Sequence, residues 1–287
     1  MIISHSKRFV FLRNPKAGST SVIQALSPYA DSTYLYRGFT PNGDLQDIAH
    51  LRKDQWSTEI ISARKEGYKT FGIVRDPIRR FESAVNEFYR QYGDLVSATG
   101  LPIGTFLEYF LHPGAAKYDL RYVHFCPQWT YFADHNPFNV GFRLSADIRI
   151  LPLEETDTRW LDLCEWLDIE RVPLPSIRSS LGYELNYRVT ESILPLLKIL
   201  YSRDFEFLES AGFGGLYGES RDRILSAVDP SVLYPYGGMN SRVLDALHYD
   251  REVATPRIQN LIDKKTNNDE RRGWWVKALT QTTTVLK

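Results

Sequence analysis

The chain has 287 residues, of which 43% are hydrophobic and 24% charged, so it can bury a substantial core without a disulfide framework or a structural metal. Its 35 basic and 35 acidic residues balance, which argues against a broad nucleic-acid-binding surface. The two cysteines form no CxxC pair, and no apolar run reaches the roughly 20 residues that a membrane span requires. Because the N-terminus also lacks a signal-peptide pattern, the sequence predicts a cytoplasmic protein without a membrane span.

The first predicted unit is a strand, a polar turn and a helix, in the sequence FVFLRNPKAGSTSVIQAL of residues 9–26. The apolar run predicts a buried strand, and SVIQAL predicts a helix that ends at Pro28. A turn of this kind directs backbone N–H groups and the positive end of the helix dipole at one place. Lys16 adds a full charge and Gly18 permits close approach, so we predict an anion site. The alternative is an ordinary turn with a solvent-exposed lysine.

This turn differs from the loop that binds nucleotide triphosphates. The pattern GxxxxGK[ST] is absent, and Ala17 follows Lys16 where a Ser or Thr would hold Mg²⁺. No strand-terminal Asp is evident as a second metal ligand. The loop therefore favours an anion bound without a metal. A sulfuryl group suits this chemistry, because it carries less charge than a phosphoryl group and a lysine with backbone donors can stabilise its transfer.

A second unit of the same kind begins with the strand KTFGIV, followed by RDP and a helix. Asp76 is a suitable N-cap, and Pro77 fits the first helical turn. Arg75 follows the strand directly, where its planar guanidinium can bind a phosphate through two bonds. Ser83 lies about two turns along the helix and can add a hydroxyl. The alternatives for Arg75 are an ion pair with Asp76 or a solvated strand end, and the alternative for Ser83 is an ordinary serine on the helix surface.

Strands that alternate with helices predict an α/β fold, a P-loop-like parallel sheet flanked by helices, with a mostly helical C-terminal extension. We divide the chain into a main domain, residues 1–213, and an accessory extension, residues 214–287, packed on it. Later in the main domain, IRILPLEE predicts a strand and TRWLDLCEWLDI an amphipathic helix. A long helical segment follows, with Pro195 as a candidate kink.

Taken together, the motifs PKAGSTS and VRDPIRRFESAV, each directly after a strand, resemble those of the sulfotransferase superfamily. The resemblance is to the carbohydrate sulfotransferase branch that includes the heparan sulfate 2-O-sulfotransferase and the chondroitin and HNK-1 enzymes. It extends in order over residues 9–213, where LYSRDFEFLESAGF also resembles a late segment of the family. Animal enzymes of this branch carry a membrane anchor that is not seen here, and residues 214–287 have no counterpart in the resemblance.

The resemblance implies that the donor is 3′-phosphoadenosine 5′-phosphosulfate (PAPS), that the product nucleotide is 3′,5′-adenosine bisphosphate (PAP), and that no metal is required. Carried onto this chain, it assigns the 5′ end of PAPS to Lys16, Ala17, Gly18, Ser19, Thr20 and Ser21, and its 3′-phosphate to Arg75 and Ser83. Arg178 is a further candidate phosphate contact, with a surface arginine as the alternative. The implied partner is a small-molecule or glycan acceptor, and the oligomeric state is not predicted.

Transfer to an acceptor hydroxyl needs a general base, for which a histidine is well suited. His50 is the first candidate, because the family places a catalytic histidine between the two motifs. His124 is the second, because HFCPQ resembles a family element, which implies that it and Gln128 orient substrate or touch the sulfuryl group. The alternative for His50 is a surface or capping histidine, and that for His124 is a structural place in an aromatic-rich segment of the core. Lys16 is predicted to stabilise the leaving phosphate as well, whereas Glu82 and Glu87 are predicted to face solvent. The competing functions are a non-catalytic binding module with this fold and a small-molecule kinase.

Overall fold

The computed structural model describes residues 1–33, 37–39, 45–99, 123–135, 142–144, 147–175 and 186–228. Within these ranges the chain forms a mixed α/β fold, in which helices flank a five-stranded sheet. The strands of this sheet are β1 (Ile2–Ser4), β2 (Phe9–Leu12), β3 (Ser32–Thr33), β6 (Lys69–Val74) and β9 (Ile148–Pro152). Two small antiparallel pairs are formed by β4 (Arg37–Phe39) with β5 (Leu45–Asp47) and by β7 (Ala133–His135) with β8 (Phe142–Leu144).

The helices of the described residues lie between and after these strands. They are α1 (Ser19–Leu26), α2 (Thr58–Lys65), α3 (Pro77–Thr99), α4 (Thr156–Leu167), α5 (Leu194–Ser210) and α6 (Gly218–Leu225). None of the helices in the described part of the chain has the length and apolar character that a membrane span requires.

The sheet is mixed, with strand order β3-β1-β2-β6-β9, and not parallel throughout as the sequence predicts. The strands β2, β6 and β9 are parallel, whereas β1 runs antiparallel to both β2 and β3. A tight turn over residues 5–8 joins β1 to β2, and Arg8 adopts a left-handed conformation there, with φ of 53°. Strands of two and three residues are too short to give a recognisable pattern, so the prediction missed this antiparallel edge.

The two faces of the sheet bury different halves of the core. Phe9 and Phe11 pack on the side of α1 and α4, whereas Val10 and Leu12 pack on the side of α2, α3 and α5. This alternation follows from the two-residue period of a strand. Because both faces are covered, the strand FVFL is apolar throughout, as is typical of strands buried between helix layers.

The predicted helices around the sheet are largely confirmed. α1 ends at Leu26, just before the 3₁₀ turn that contains Pro28. α4 buries its predicted apolar side, including Trp160 and Leu163. The predicted kink at Pro195 is wrong, since α5 begins at Leu194 and the proline lies in its first turn, where its missing N–H costs no hydrogen bond. Of the predicted extension, α6 is described, and residues 229–287 lie outside the described residues.

Candidate functional site

The candidate site lies where the three parallel strands end together. Leu12 of β2 pairs with Gly72 of β6, and Val74 of β6 pairs with Pro152 of β9. The residues that follow these strands therefore reach the same edge of the sheet. The carboxyl edge of parallel strands is where α/β folds commonly bind ligands. Both predicted anion motifs begin at this edge.

The loop from β2 to α1 has an unusual backbone. Lys16 and Gly18 both adopt left-handed conformations, with φ of 62° and 72°. A left-handed conformation costs a lysine about 1–3 kcal/mol of free energy. Residues strained in this way are more common at functional sites than elsewhere. No side chain caps the N-terminus of α1, and of its first-turn amides that of Ser21 donates to the carbonyl of Gly18 at 3.1 Å. The amides of Ser19 and Thr20 are the ones that an anion at this end of the helix would meet.

The other predicted members of this loop differ in accessibility. Ala17 and Ser19 are buried, Ser21 is half-buried and Thr20 is exposed. The hydroxyl of Ser19 accepts a hydrogen bond of 3.1 Å from Nε of Arg13, which lies just after β2. The Ser19 hydroxyl is therefore already engaged by a residue of the same loop, whereas the side chain of Thr20 is exposed to solvent.

The two motifs are joined by direct hydrogen bonds. A guanidinium nitrogen of Arg75 donates to the carbonyl of Lys16 at 3.1 Å. The side-chain amide of Gln128 brackets the backbone of Arg75, because its oxygen accepts from the amide (3.1 Å) and its nitrogen donates to the carbonyl (2.8 Å). Asn14 donates to the same Gln128 oxygen and to the carbonyl of Ile73. The ends of β2 and β6 and the segment around residue 128 thus form one connected unit.

The ammonium of Lys16 is paired with Glu87, a residue of α3. Their charged atoms lie 3.3 Å apart, and Arg90 also pairs with the Glu87 carboxylate. Burial lowers the pKa of Lys16, and the neighbouring Glu87 carboxylate opposes part of that effect. The prediction that Glu82 and Glu87 face solvent is wrong, because only 7% and 8% of their surfaces are exposed. Glu82 accepts hydrogen bonds from the Arg188 side chain and from the amide of Val189.

The two candidate histidines, His50 and His124, lie next to each other. His50 is buried, Nδ1 of its ring lies 3.1 Å from an oxygen of Asp47, and the rings of His50 and His124 meet edge to face with centroids 5.8 Å apart. Burial lowers the pKa of His50 to about 4, against the raising effect of Asp47. Burial also lowers the pKa of His124 to about 3, with further lowering by His50 and Lys16. Both rings are therefore neutral at pH 7, and Lys16 is close enough to influence His124.

Ser83, which the sequence predicts to contact the 3′-phosphate of PAPS, lies outside this connected unit. Ser83 is half-buried in α3, about 9 Å along the helix from Pro77 at 1.5 Å per residue. Among the described residues, no hydrogen bond joins Ser83 to Arg75 or to the first loop. Arg178 lies outside the described residues.

Second-motif residues near Arg75 are held by acidic side chains. Glu154, which follows β9, accepts from the amide of Asp76 (3.0 Å) and from the hydroxyl of Tyr217 (2.7 Å). Asp76 in turn caps α3 through the amide of Arg79. Burial lowers the pKa of Arg75, while the carboxylates of Glu154 and Asp76 oppose this effect. The strand end is thus fixed from β9 and from residues just before α6.

Three residues of the site were missed by the sequence reasoning. Asp47 stands three residues before His50 and caps a short 3₁₀ turn, so the spacing Asp-x-x-His was a usable local signal. Glu87 meets Lys16 from 71 residues away, and no local pattern indicates that contact. Arg13 also escaped notice, although it lies only two residues before the first motif; its charge lowers the pKa of His50 further.

Among the described residues, no group of three or more His, Cys, Asp and Glu side chains is arranged to hold a metal ion. The chain matches no protein-family model, and comparison with curated proteins and with solved structures gives no match either. The fold and the contacts of this edge therefore define a mixed α/β protein in which two basic strand-end motifs lie beside two neutral histidines.

Proposed function

We propose that the protein is a sulfotransferase, which transfers the sulfuryl group of PAPS to a hydroxyl of a small-molecule or glycan acceptor. One observation carries the proposal: the hydrogen bond from Arg75 to the carbonyl of Lys16, which joins two basic motifs beside a pair of neutral histidines. Two positively charged side chains carried by one connected unit suit a donor with anionic groups at both ends. Neutral histidines next to one of them suit a reaction that releases a proton.

In the proposed complex, the left-handed loop and the first-turn amides of α1 bind the 5′-phosphosulfate. Lys16 exchanges its Glu87 partner for this anion, and the uncapped helix N-terminus adds backbone donors. Arg75 binds the 3′-phosphate with the guanidinium nitrogens that do not contact Lys16. Ser83 binds the same phosphate only where it extends along the side of α3.

The proposed chemical step is a single in-line displacement. The acceptor oxygen forms a bond to sulfur while the bond from sulfur to the bridging phosphate oxygen breaks. The hydroxyl proton passes to a histidine, for which His50 is the first choice. Its Nδ1 is held by Asp47, so its Nε2 carries the lone pair that can accept the proton. Negative charge then grows on the departing PAP, where Lys16 stabilises it.

The low pKa of His50 is consistent with this role once donor charge is considered. Burial and the positive charge of Arg13 lower the pKa of His50 to about 4. A bound phosphosulfate brings negative charge close to both rings and neutralises Lys16, which raises the pKa of both histidines. The base is therefore neutral before the donor binds and becomes more basic in the complex.

The decisive experiment is calorimetric titration of the protein with PAP, followed by transfer of labelled sulfate to a panel of saccharides, lipids and phenols. We expect Lys16→Ala and Arg75→Ala to lose affinity, and His50→Ala to keep it while losing turnover. Arg79→Ala is the matched control, because Arg79 is an exposed arginine four residues from Arg75. If the wild-type protein does not bind PAP, the proposal fails.

The same experiment separates the two competing functions. PAP binding without transfer to any acceptor, and without an effect of His50→Ala, would indicate a binding module. Binding of ATP that requires Mg²⁺ would indicate a kinase, for which the described residues offer no cluster of acidic metal ligands.

A further inference from the structure

The segment that carries His124 and Gln128 has little regular structure of its own. Residues 123–131, called the histidine loop below, consist of turns and a 3₁₀ turn at Gln128–Tyr131. The loop adds no strand to the five-stranded sheet. Backbone polar groups in such a segment need partners from elsewhere once they are buried. The loop finds these partners in two helices, α3 and α5.

Three consecutive carbonyls of the histidine loop accept hydrogen bonds from two buried side chains. Arg80 of α3 donates to the carbonyls of residues 124 (3.4 Å) and 126. Tyr201 of α5 donates its hydroxyl proton to the carbonyl between them, that of Phe125, at 3.0 Å. The guanidinium of Arg80 also lies over the Tyr201 ring. The two side chains therefore act on one short stretch of backbone.

The other end of the loop is held by a carboxylate. Asp204 of α5 accepts a hydrogen bond of 3.0 Å from the amide of Trp129, and its carboxylate also interacts with the amide of Gln128. Arg80, Tyr201 and Asp204 are all fully buried. They therefore fix the loop at two places, at the carbonyls of residues 124–126 and at the amides of residues 128 and 129.

This arrangement costs free energy that a fold built for stability alone would avoid. A buried charge is expensive unless its polar atoms are satisfied, and replacing buried charges by apolar residues is often neutral or stabilising. Nε of Arg80 and Oδ2 of Asp204 have no hydrogen-bond partner among the described residues. What the two charges do provide is a defined position for the loop.

We propose that Arg80, Tyr201 and Asp204 are positioning residues, which hold the histidine loop so that His124 faces His50 and Gln128 holds Arg75. The inference deepens the proposed sulfotransferase function and rests on it for the effect on turnover. It makes α5, which supplies two of the three side chains, a support of the site. None of the three needs to touch donor or acceptor.

The test compares Tyr201→Phe and Asp204→Asn with the wild type by hydrogen–deuterium exchange and by kinetics. Tyr201→Phe removes the hydrogen bond to the carbonyl of Phe125, whereas Asp204→Asn removes the charge and leaves one acceptor oxygen for two backbone amides; both keep the shape of the side chain. We expect exchange in residues 123–131 to rise about tenfold or more, as for an opening that becomes about 1.4 kcal/mol easier. We expect kcat to fall by a similar factor in both variants. The KM for PAPS should change less than twofold in Tyr201→Phe, which acts next to His124, and should rise in Asp204→Asn, which acts at Gln128 and through it on Arg75. Arg80→Lys, which keeps the charge but cannot reach two carbonyls, should behave like the other two.

Tyr68→Phe is the matched control. Tyr68 is a buried tyrosine whose hydroxyl bonds His5 at the opposite edge of the sheet, so its loss removes an equivalent group away from the site. This control should change neither the exchange of the histidine loop nor kcat. The inference is overturned if exchange in residues 123–131 is unchanged, or if it rises only as much as exchange across the whole chain. Because exchange needs no ligand, this result is obtained even if the protein does not bind PAP.

Discussion

The carboxylate of Asp47 contacts His50 twice, at Nδ1 of the ring and at the backbone amide, with distances of 3.1 Å for each. An ionised carboxylate only accepts hydrogen bonds, so Nδ1 carries the proton and Nε2 is left as the acceptor. The same residue thus sets both the tautomer of His50 and the 3₁₀ turn that carries it. In this respect the pair resembles the acid–histidine pairs of enzymes that use histidine as a base.

Replacing Asp47 by Asn is expected to reduce turnover by about 10²- to 10⁴-fold, because the ring loses its tautomer preference and the partner of its protonated form. PAP affinity should stay within about twofold. Single-turnover transfer of labelled sulfate measures the first effect and calorimetry the second. Asp54→Asn is the control, since Asp54 is an exposed acid that pairs with Arg52 on the neighbouring 3₁₀ turn. Unchanged turnover in Asp47→Asn would exclude His50 as the base.

Because His50 is buried and neutral, the free energy of unfolding is expected to depend on pH. The folded-state pKa of His50 is about 4, below its unfolded value of 6.5, so the contribution of this residue is complete above pH 6.5 and is lost as the pH falls towards 4. The wild type should lose stability relative to His50→Gln across this window, by up to about 1.4 kcal/mol per pH unit. Urea unfolding of both proteins between pH 7 and pH 4 measures the difference. Parallel curves would contradict the burial of a neutral ring.

Glu87 is expected to compete with the donor for Lys16. The Glu87 carboxylate lies 3.3 Å from the Lys16 ammonium and repels an incoming anion. Glu87→Gln should therefore tighten PAP binding at pH 7. A gain of about 1 kcal/mol, or roughly fivefold in Kd, is the expected size for one partly buried charge pair. Titration calorimetry measures it, and Lys16→Ala in the Glu87→Gln background should abolish the gain. Weaker binding in the single variant would show that Glu87 supports the bound state.

Gly18 should be replaceable only at a cost to binding. Its φ of 72° disfavours a side chain by about 1–2 kcal/mol, and an added Cβ would lie 2.6 Å from a Leu153 methyl. Gly18→Ala is therefore expected to lower both the unfolding free energy and the PAP affinity. Gly67→Ala isolates the backbone effect, because Gly67 has φ of 79° with open space around it, so it should lose stability and keep affinity. Equal affinities of the two variants would exclude a role of this loop in binding.

The sequence predicted the parts of the site whose signals are local. Apolar runs indicated β2, β6 and β9, and a change to helical spacing after RDP indicated α3, so both motifs were placed correctly at strand ends. The antiparallel β1 was missed because three residues carry no period. The pairing of Lys16 with Glu87 depends on how α3 lies against the first loop, a tertiary arrangement that spacing within either motif does not encode.

The same distinction explains the histidines. His50 and His124 were selected separately, and their meeting depends on the histidine loop, which is held by side chains from α3 and α5. Tyr201 and Asp204 lie in a segment singled out only for its resemblance to a late family element. A sequence pattern can single out such residues, but their role as supports of the histidine loop follows only from their buried contacts with its backbone.

The hydrogen bond between Arg75 and the carbonyl of Lys16 also has a consequence for ligand choice. It holds the guanidinium of Arg75 beside the loop that carries Lys16, so a ligand with anions at both ends makes its second contact as an intramolecular event. A mononucleotide with a phosphate at one end gains no such advantage, even if each of its individual contacts is as strong. Selectivity for a doubly charged donor would then arise from effective concentration, with no need for a side chain that rejects the shorter nucleotide.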